Sequence, residues 1–159
     1  MPTSWPEISA ELSVPLLRRG PEPVFSPLGD PRHADGVETI YEGYLAHYGT
    51  PRAFRPQDPD EALLLGDYLY AAGLARIAAL GEPAVVEDLA ELLARCAELR
   101  GAGLGGDDPV WAASIALLGS HPLADGRDPT DVARSAAGAD AVVRALEAHE
   151  RLAAPAAVG

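Results

Sequence analysis

Residues 58–80, DPDEALLLGDYLYAAGLARIAAL, carry the longest helical pattern in the chain, and the pattern is apolar on nearly every side. Asp58 stands where an N-cap is wanted, Pro59 at the first helical position, and Glu61 completes a capping-box-like arrangement. Gly81 ends the run. A helix without a polar face is surrounded by others, so this segment demands a bundle with itself at the centre. Two of its residues resist that placement. Glycine at 66 weakens a helix interior by roughly 1 kcal/mol against alanine. Asp67 has Leu63, Leu64, Tyr70 and Ala71 three and four residues away, and a carboxylate among apolar neighbours needs a partner. The spacing therefore predicts two structural roles. Gly66 lets a neighbouring backbone approach, and Asp67 anchors a polar contact to an arginine, a tyrosine hydroxyl or a helix N-terminus.

Four more helical patterns flank this one. ADGVETIYEGYLAHYG, from residue 34, places Val37, Ile40, Tyr41, Tyr44, Leu45 and Tyr48 at helical spacing, with Gly49 as the residue that stops it. Proline at the first helical position then recurs. Glu82-Pro83 opens a helix with Val85, Val86, Leu89, Leu92, Leu93, Cys96 and Leu99 inward; Asp108-Pro109 opens a shorter one through Leu118; Asp128-Pro129 opens a fifth. GAGLGG at 101–106 and GSHPLADGRD at 119–128 read as loops. No segment alternates with period two. The fold class predicted is all-α, a bundle of about five helices over residues 34–153. Seven of the fifteen prolines fall within residues 1–32, so residues 1–33 read as an extended or disordered proline-rich arm with a short helix near residues 7–18. Residues 154–159 read as a flexible tail.

Charge narrows the partners. The chain of 159 residues carries a formal net charge of −12, which disfavours nucleic acid and anionic membranes, since both want a basic face. The most hydrophobic stretch, 62–80, contains Asp67 and Arg76 and reads as a core helix rather than a membrane span. A single cysteine, Cys96, and no secretory pattern predict a cytoplasmic protein.

Asp35, Glu38 and Glu42 are three and four residues apart and share one helical face. Carboxylates so placed can hold a hard divalent cation through oxygen, or can form a solvated face; spacing leaves both open. His33, His47, His121 and His149 are scattered without metal-ligand spacing and read as structural or surface residues. Cys96 lies on an inward stripe and reads as a small core residue. GAGLGG lacks the preceding strand of a nucleotide-binding loop.

LLLGDYLYAAGLARIAALGEPAVVEDLAELL resembles the trans-polyprenyl diphosphate synthase family, an isoprenoid-synthase fold, in which a helix reading roughly V-L-x-G-D-[FY]-L-[YL]-[AT]-x-A follows an aspartate-rich D-D-x-x-D motif. Counting back 29 residues from Asp67, the family's interval, lands on Glu38 in ETIYE, so Glu38 and Glu42 stand at the first and last carboxylate positions. Gly49 and Pro51 match the family's following G-x-P, while His47 and Tyr48 replace its arginine pair. The resemblance covers residues 35–99. It implies magnesium at Glu38 and Glu42 and a diphosphate. Arg52 and Arg55, just downstream, read either as replacement cationic donors or as plain surface residues; Tyr41 and Tyr68 read as core residues with hydroxyls reaching the rim, and as further ligand-binding candidates. The departures imply lost chemistry: Thr39 replaces the second carboxylate, the arginine pair is gone, and the family's second aspartate-rich motif has no counterpart.

Three expectations follow. The first is a catalytically degenerate polyprenyl-synthase-like domain that binds or regulates a partner, either as a homo-oligomer or with a prenyl-synthase-like protein, and uses no cofactor. The second is a magnesium-dependent prenyl diphosphate-binding enzyme or subunit. The third is a module that holds a lipid-like molecule between the helices at 34–49 and 58–80.

Overall fold

The computed structural model describes residues 2–153, so the tail expected at 154–159 lies outside the described residues. Those residues form seven α-helices and no β-strand: α1 Trp5–Leu12, α2 Ala34–Tyr48, α3 Pro59–Ala78, α4 Pro83–Gly101, α5 Asp107–Ala116, α6 Pro129–Ala137 and α7 Ala139–Leu152. The fold class is all-α. No described helix is long and apolar enough to cross a membrane.

Side-chain caps set the starts of α3 and α6. Asp58 accepts a hydrogen bond from the Glu61 amide at 2.9 Å, and Pro59 opens α3. Asp128 caps α6 through the Thr130 amide at 2.8 Å. The fifth expected helix is two helices, because Gly138 at φ +91 breaks the path between α6 and α7. α5 starts at Asp107, two residues before the Pro109 start that Asp108-Pro109 suggests, and Asp107 is buried.

The proline-rich segment is part of the fold. α1 ends at Leu12, earlier than the 7–18 expected, where Ser13 turns into the left-handed region. Ile8 and Val14 are buried in a cluster with Phe54, Leu65, Leu69 and Ala72. Val24, Phe25 and Leu28 enter the main core between α2, α4, α5, α6 and α7. There Phe25 stacks on Trp111 at 5.5 Å and meets Tyr41 edge-on at 5.3 Å.

α2 and α3 pack antiparallel and make the largest interface in the molecule. Two glycine pairs, seven residues apart on each helix, bring them close. A Cβ at Gly73 would meet the Gly36 carbonyl oxygen at 2.9 Å, and one at Gly43 would meet the Gly66 carbonyl oxygen at 2.9 Å. The space between these helices, where a lipid-like ligand was expected, is closed by those contacts.

α3 is not enclosed on all sides. Leu63 and Leu64 are exposed at 56% and 55%. Asp67 lies on the same open side, with 68% of its side chain exposed, which corrects the expectation of a buried carboxylate. Its partner is His47 on α2, whose Nε2 lies 3.2 Å from Asp67 Oδ1. Gly66 does serve packing, but the group that needs its missing side chain is the His47 ring, 2.5 Å from where a Cβ would stand.

Candidate functional site

Glu38 and Glu42 both face the loop between α2 and α3, and Arg52 from that loop joins them. Arg52 Nη1 donates to Glu38 Oε1 at 2.7 Å, and its Nε donates to Glu42 Oε1 at 3.2 Å. The guanidinium also donates to the backbone carbonyls of Glu22 and Glu38. It lies over the Tyr41 ring at 5.0 Å. Glu42 is fully buried and accepts two backbone amides as well, from Arg52 at 3.0 Å and Ala53 at 2.6 Å. Glu38 accepts the amides of Val24 at 3.3 Å and Ser26 at 3.0 Å. A buried carboxylate requires such donors, and a guanidinium fork satisfies two of them at once.

The local sequence explains the geometry. Glu38 and Glu42 are one turn apart on α2, so a single guanidinium spans them. GTPRAF leaves α2 with Gly49 extended and bends at Arg52 and Ala53, which sets Arg52 against that face. Gly49 has an extended φ of −162, and a side chain there would meet the Leu152 carbonyl oxygen at 2.5 Å. The end of α7 therefore decides why residue 49 is glycine. Thr50 donates to that carbonyl at 2.9 Å. The outcome is a clamp: α2 acids hold the loop through Arg52 and the N-terminal segment through Val24 and Ser26.

Apart from the Tyr41 ring under Arg52, the remaining candidates do not converge. Tyr41 is fully buried, and its hydroxyl is 2.7 Å from His149 Nδ1 on α7. Arg55 is exposed, and its backbone amide donates to Pro15. Tyr68 packs beside Trp5, Leu12 and Leu16 in the α1 cluster. Asp67 pairs with His47, nine residues beyond Glu38 on α2, or roughly 13 Å along the axis. Glu38, Glu42 and Asp67 thus line no common cavity. Among the described residues, no group of three or more His, Cys, Asp or Glu side chains is placed to hold a metal ion.

A cleft of about 440 Å³ opens beside Glu38, between α1, the 19–26 segment and the α2–α3 pair. Trp5, Arg19, Asp35, Glu38, Thr39 and Arg76 are among its lining residues. It gives the Glu38 end of the clamp access to solvent, with arginine nearby.

A second polar network, unforeseen in the sequence, lies deeper. Tyr44 donates its hydroxyl to Asp107 Oδ2, which also accepts Arg100 Nε at 2.8 Å. Arg100 Nη2 donates to the Tyr44 oxygen at 2.9 Å. Burial pushes the Asp107 carboxyl up, but the Tyr44 and Arg100 hydrogen bonds outweigh it and hold the group below its ordinary range. Burial pushes the Tyr41 and Tyr44 hydroxyls well above theirs, so both stay protonated. His149 is held low, first by burial, with Asp107 opposing in part. These residues are separated by 63 and 108 positions from their α2 partners, so helical spacing gives no signal for them.

No family model matches the chain, and no curated protein or solved structure matches it.

Proposed function

We propose that this chain is a non-catalytic helical domain, related to the isoprenoid synthases, that acts as a binding or regulatory partner. One observation carries the reading. The two carboxylates at the motif positions are each engaged by Arg52 and by backbone amides, so their charge is spent on holding the loop and the N-terminal segment. Magnesium coordination wants free carboxylate oxygens. The partner face is the open side of α3, where Leu63 and Leu64 stand exposed side by side. A second copy of this chain or a prenyl-synthase-like protein would cover it.

Size-exclusion chromatography with light scattering tests the first of these partners. The self-association reading expects a species larger than the 16.6 kDa monomer, reduced to monomer by Leu63→Glu with Leu64→Glu. A strict monomer at high concentration removes self-association. A second reading, a magnesium-dependent prenyl diphosphate-binding subunit, draws support from Arg19 and Arg76 in the cleft beside Glu38. Calorimetry with magnesium and a prenyl diphosphate separates the two. The non-catalytic reading expects no heat. Saturable heat that vanishes in Arg76→Ala and in Glu38→Gln overturns it in favour of the second.

A further inference from the structure

The buried residues of α7 are Val142, Ala145 and His149. Valine and alanine bring little apolar area, so the histidine is the largest group that α7 commits to the core. Its ring lies 5.4 Å from that of Phe25 and 5.8 Å from those of Tyr41 and Tyr44. Its Nδ1 is 2.7 Å from the Tyr41 hydroxyl, a bond from the end of α7 to the middle of α2. One turn further on, the Leu152 carbonyl accepts the Thr50 amide at 2.9 Å, and Gly49 bridges to Ala153. His149 therefore sits at the seam that closes α7 onto the loop before α3.

The other end of α7 is a joint. Gly138 separates it from α6, with φ +91 and nothing within 4 Å of the place a Cβ would take. No packing holds this glycine, and glycine moves freely through such conformations. The helix can turn about it without disturbing a neighbour. α7 is thus a lever with a loose joint at one end and a titratable anchor at the other.

A proton on that anchor meets no free countercharge. Asp107 on α5 is buried, but Tyr44 and Arg100 already occupy it, and the Arg100 guanidinium repels a second cation. Asp108 is half-buried and Glu150 exposed, so water screens both. α6 turns Val132 and Ala133 inward, while its Asp131 and Arg134 are exposed. Asp140, Arg144, Glu147 and Arg151 of α7 itself are exposed as well. Arg52, on the loop after α2, lies over the Tyr41 ring and is paired with Glu38 and Glu42. A charged ring is better placed in water than against three aromatic faces, which is why burial outweighs the acids around His149.

We infer that α7 is an acid-released latch: it stays docked while His149 is neutral and swings out about Gly138 when the ring takes a proton, leaving the α2–α3 hairpin and the Arg52 clamp in place. Acid then bares the ring faces of Phe25, Tyr41 and Tyr44 that neutral pH keeps covered. The reading is independent of any partner on α3.

Amide hydrogen exchange of the full chain, at pH 7.5 and 5.5 and corrected for the intrinsic rate, tests it. Residues 142–152 should be less protected than 36–45 at both pH values, since α7 opens alone. Their protection should fall by up to about tenfold at the lower pH, the most that one histidine with the ordinary value of 6.5 in the open state adds over this range. His149→Asn keeps a hydrogen-bonding group near the Nδ1 position and takes up no proton, so the fall should vanish. His47 also resists protonation, but it stays packed against α3 when α7 opens, so His47→Gln should leave the fall whole. That comparison decides the matter if His149→Asn fails to fold. Equal protection of α7 and α2 would mean that α7 opens only with the whole fold, and overturns the inference. A fall that persists in His149→Asn, or shrinks in His47→Gln, overturns it too.

Discussion

The guanidinium of Arg52 meets the carboxylate of Glu42 at 3.2 Å in a place where neither side chain sees much water: 6% of the arginine and none of the glutamate is exposed. The pair joins the loop before α3 to the middle of α2. Removing one member leaves the other charged and buried.

Arg52→Ala therefore destabilises the fold by about 3–5 kcal/mol, the usual effect of breaking a buried pair by deleting one partner. Urea denaturation checks this. A loss below about 1 kcal/mol, the scale of a surface pair, would mean that the backbone amides alone satisfy Glu42.

Glycine at 73 is a packing requirement. Gly73→Ala gains about 1 kcal/mol of helix propensity, yet its Cβ would press on Ile40 and on the Gly36 carbonyl oxygen at 2.9 Å. Backbone cannot move aside as a side chain does, so a net loss of about 1–3 kcal/mol is expected. Gly101→Ala is the control. Nothing lies within 4 Å of its Cβ position, and the substitution is neutral or stabilising by about 0.4–1 kcal/mol. Equal effects at the two positions would contradict the close contact of α2 and α3.

Acid weakens the fold in two stages. His47 and His149 are both held below the ordinary value of 6.5, burial being the larger cause at each. Below that value the unfolded chain takes up protons that the native chain resists, so stability rises with pH through this window. It is fully present above 6.5 and is lost as pH falls beneath it. Asp107, held below 3.8, adds a further loss at lower pH as its carboxyl is forced to protonate. Thermal melts from neutral to mildly acidic pH at constant ionic strength check the first stage. His149→Gln should flatten the slope; a profile already flat in the unmodified protein would contradict the assignment.

Cys96 is a core residue in its chemistry as in its position. Burial, with a smaller contribution from Asp107, pushes its thiol up to about 12, and it is 1% exposed. The native protein should leave a disulfide reagent unreacted over hours, with one thiol released on unfolding. Rapid reaction in native buffer would show that α4 opens.

Much of the architecture could be read from residue order. Asp58-Pro59 and Asp128-Pro129 announce helix starts through chemistry local to four residues, and both helices begin there. The apolar stripes of α2 and α4 face the core as their spacing indicates. The polar partners were not readable. Helical spacing shows that Glu38 and Glu42 share a face, but not that Arg52 folds back to occupy it. Asp67 misled because apolar neighbours in sequence do not bury a residue: Leu63 and Leu64 beside it are exposed too. The links from Tyr44 to Asp107 and from Tyr41 to His149 join helices far apart along the chain, and only tertiary packing creates them.

The glycine-lined contact of α2 with α3 bears also on the order of assembly. Those helices are joined by ten residues, 49–58, so their docking closes a short loop, whereas the strap from Thr50 to Leu152 closes one of about a hundred. Collapse should thus begin with the hairpin of α2 and α3 and finish when α7 locks onto its end. Amide protons of residues 36–45 and 66–73 should exchange with deuterium most slowly, and those of α7 sooner, through a partial opening that leaves the hairpin intact.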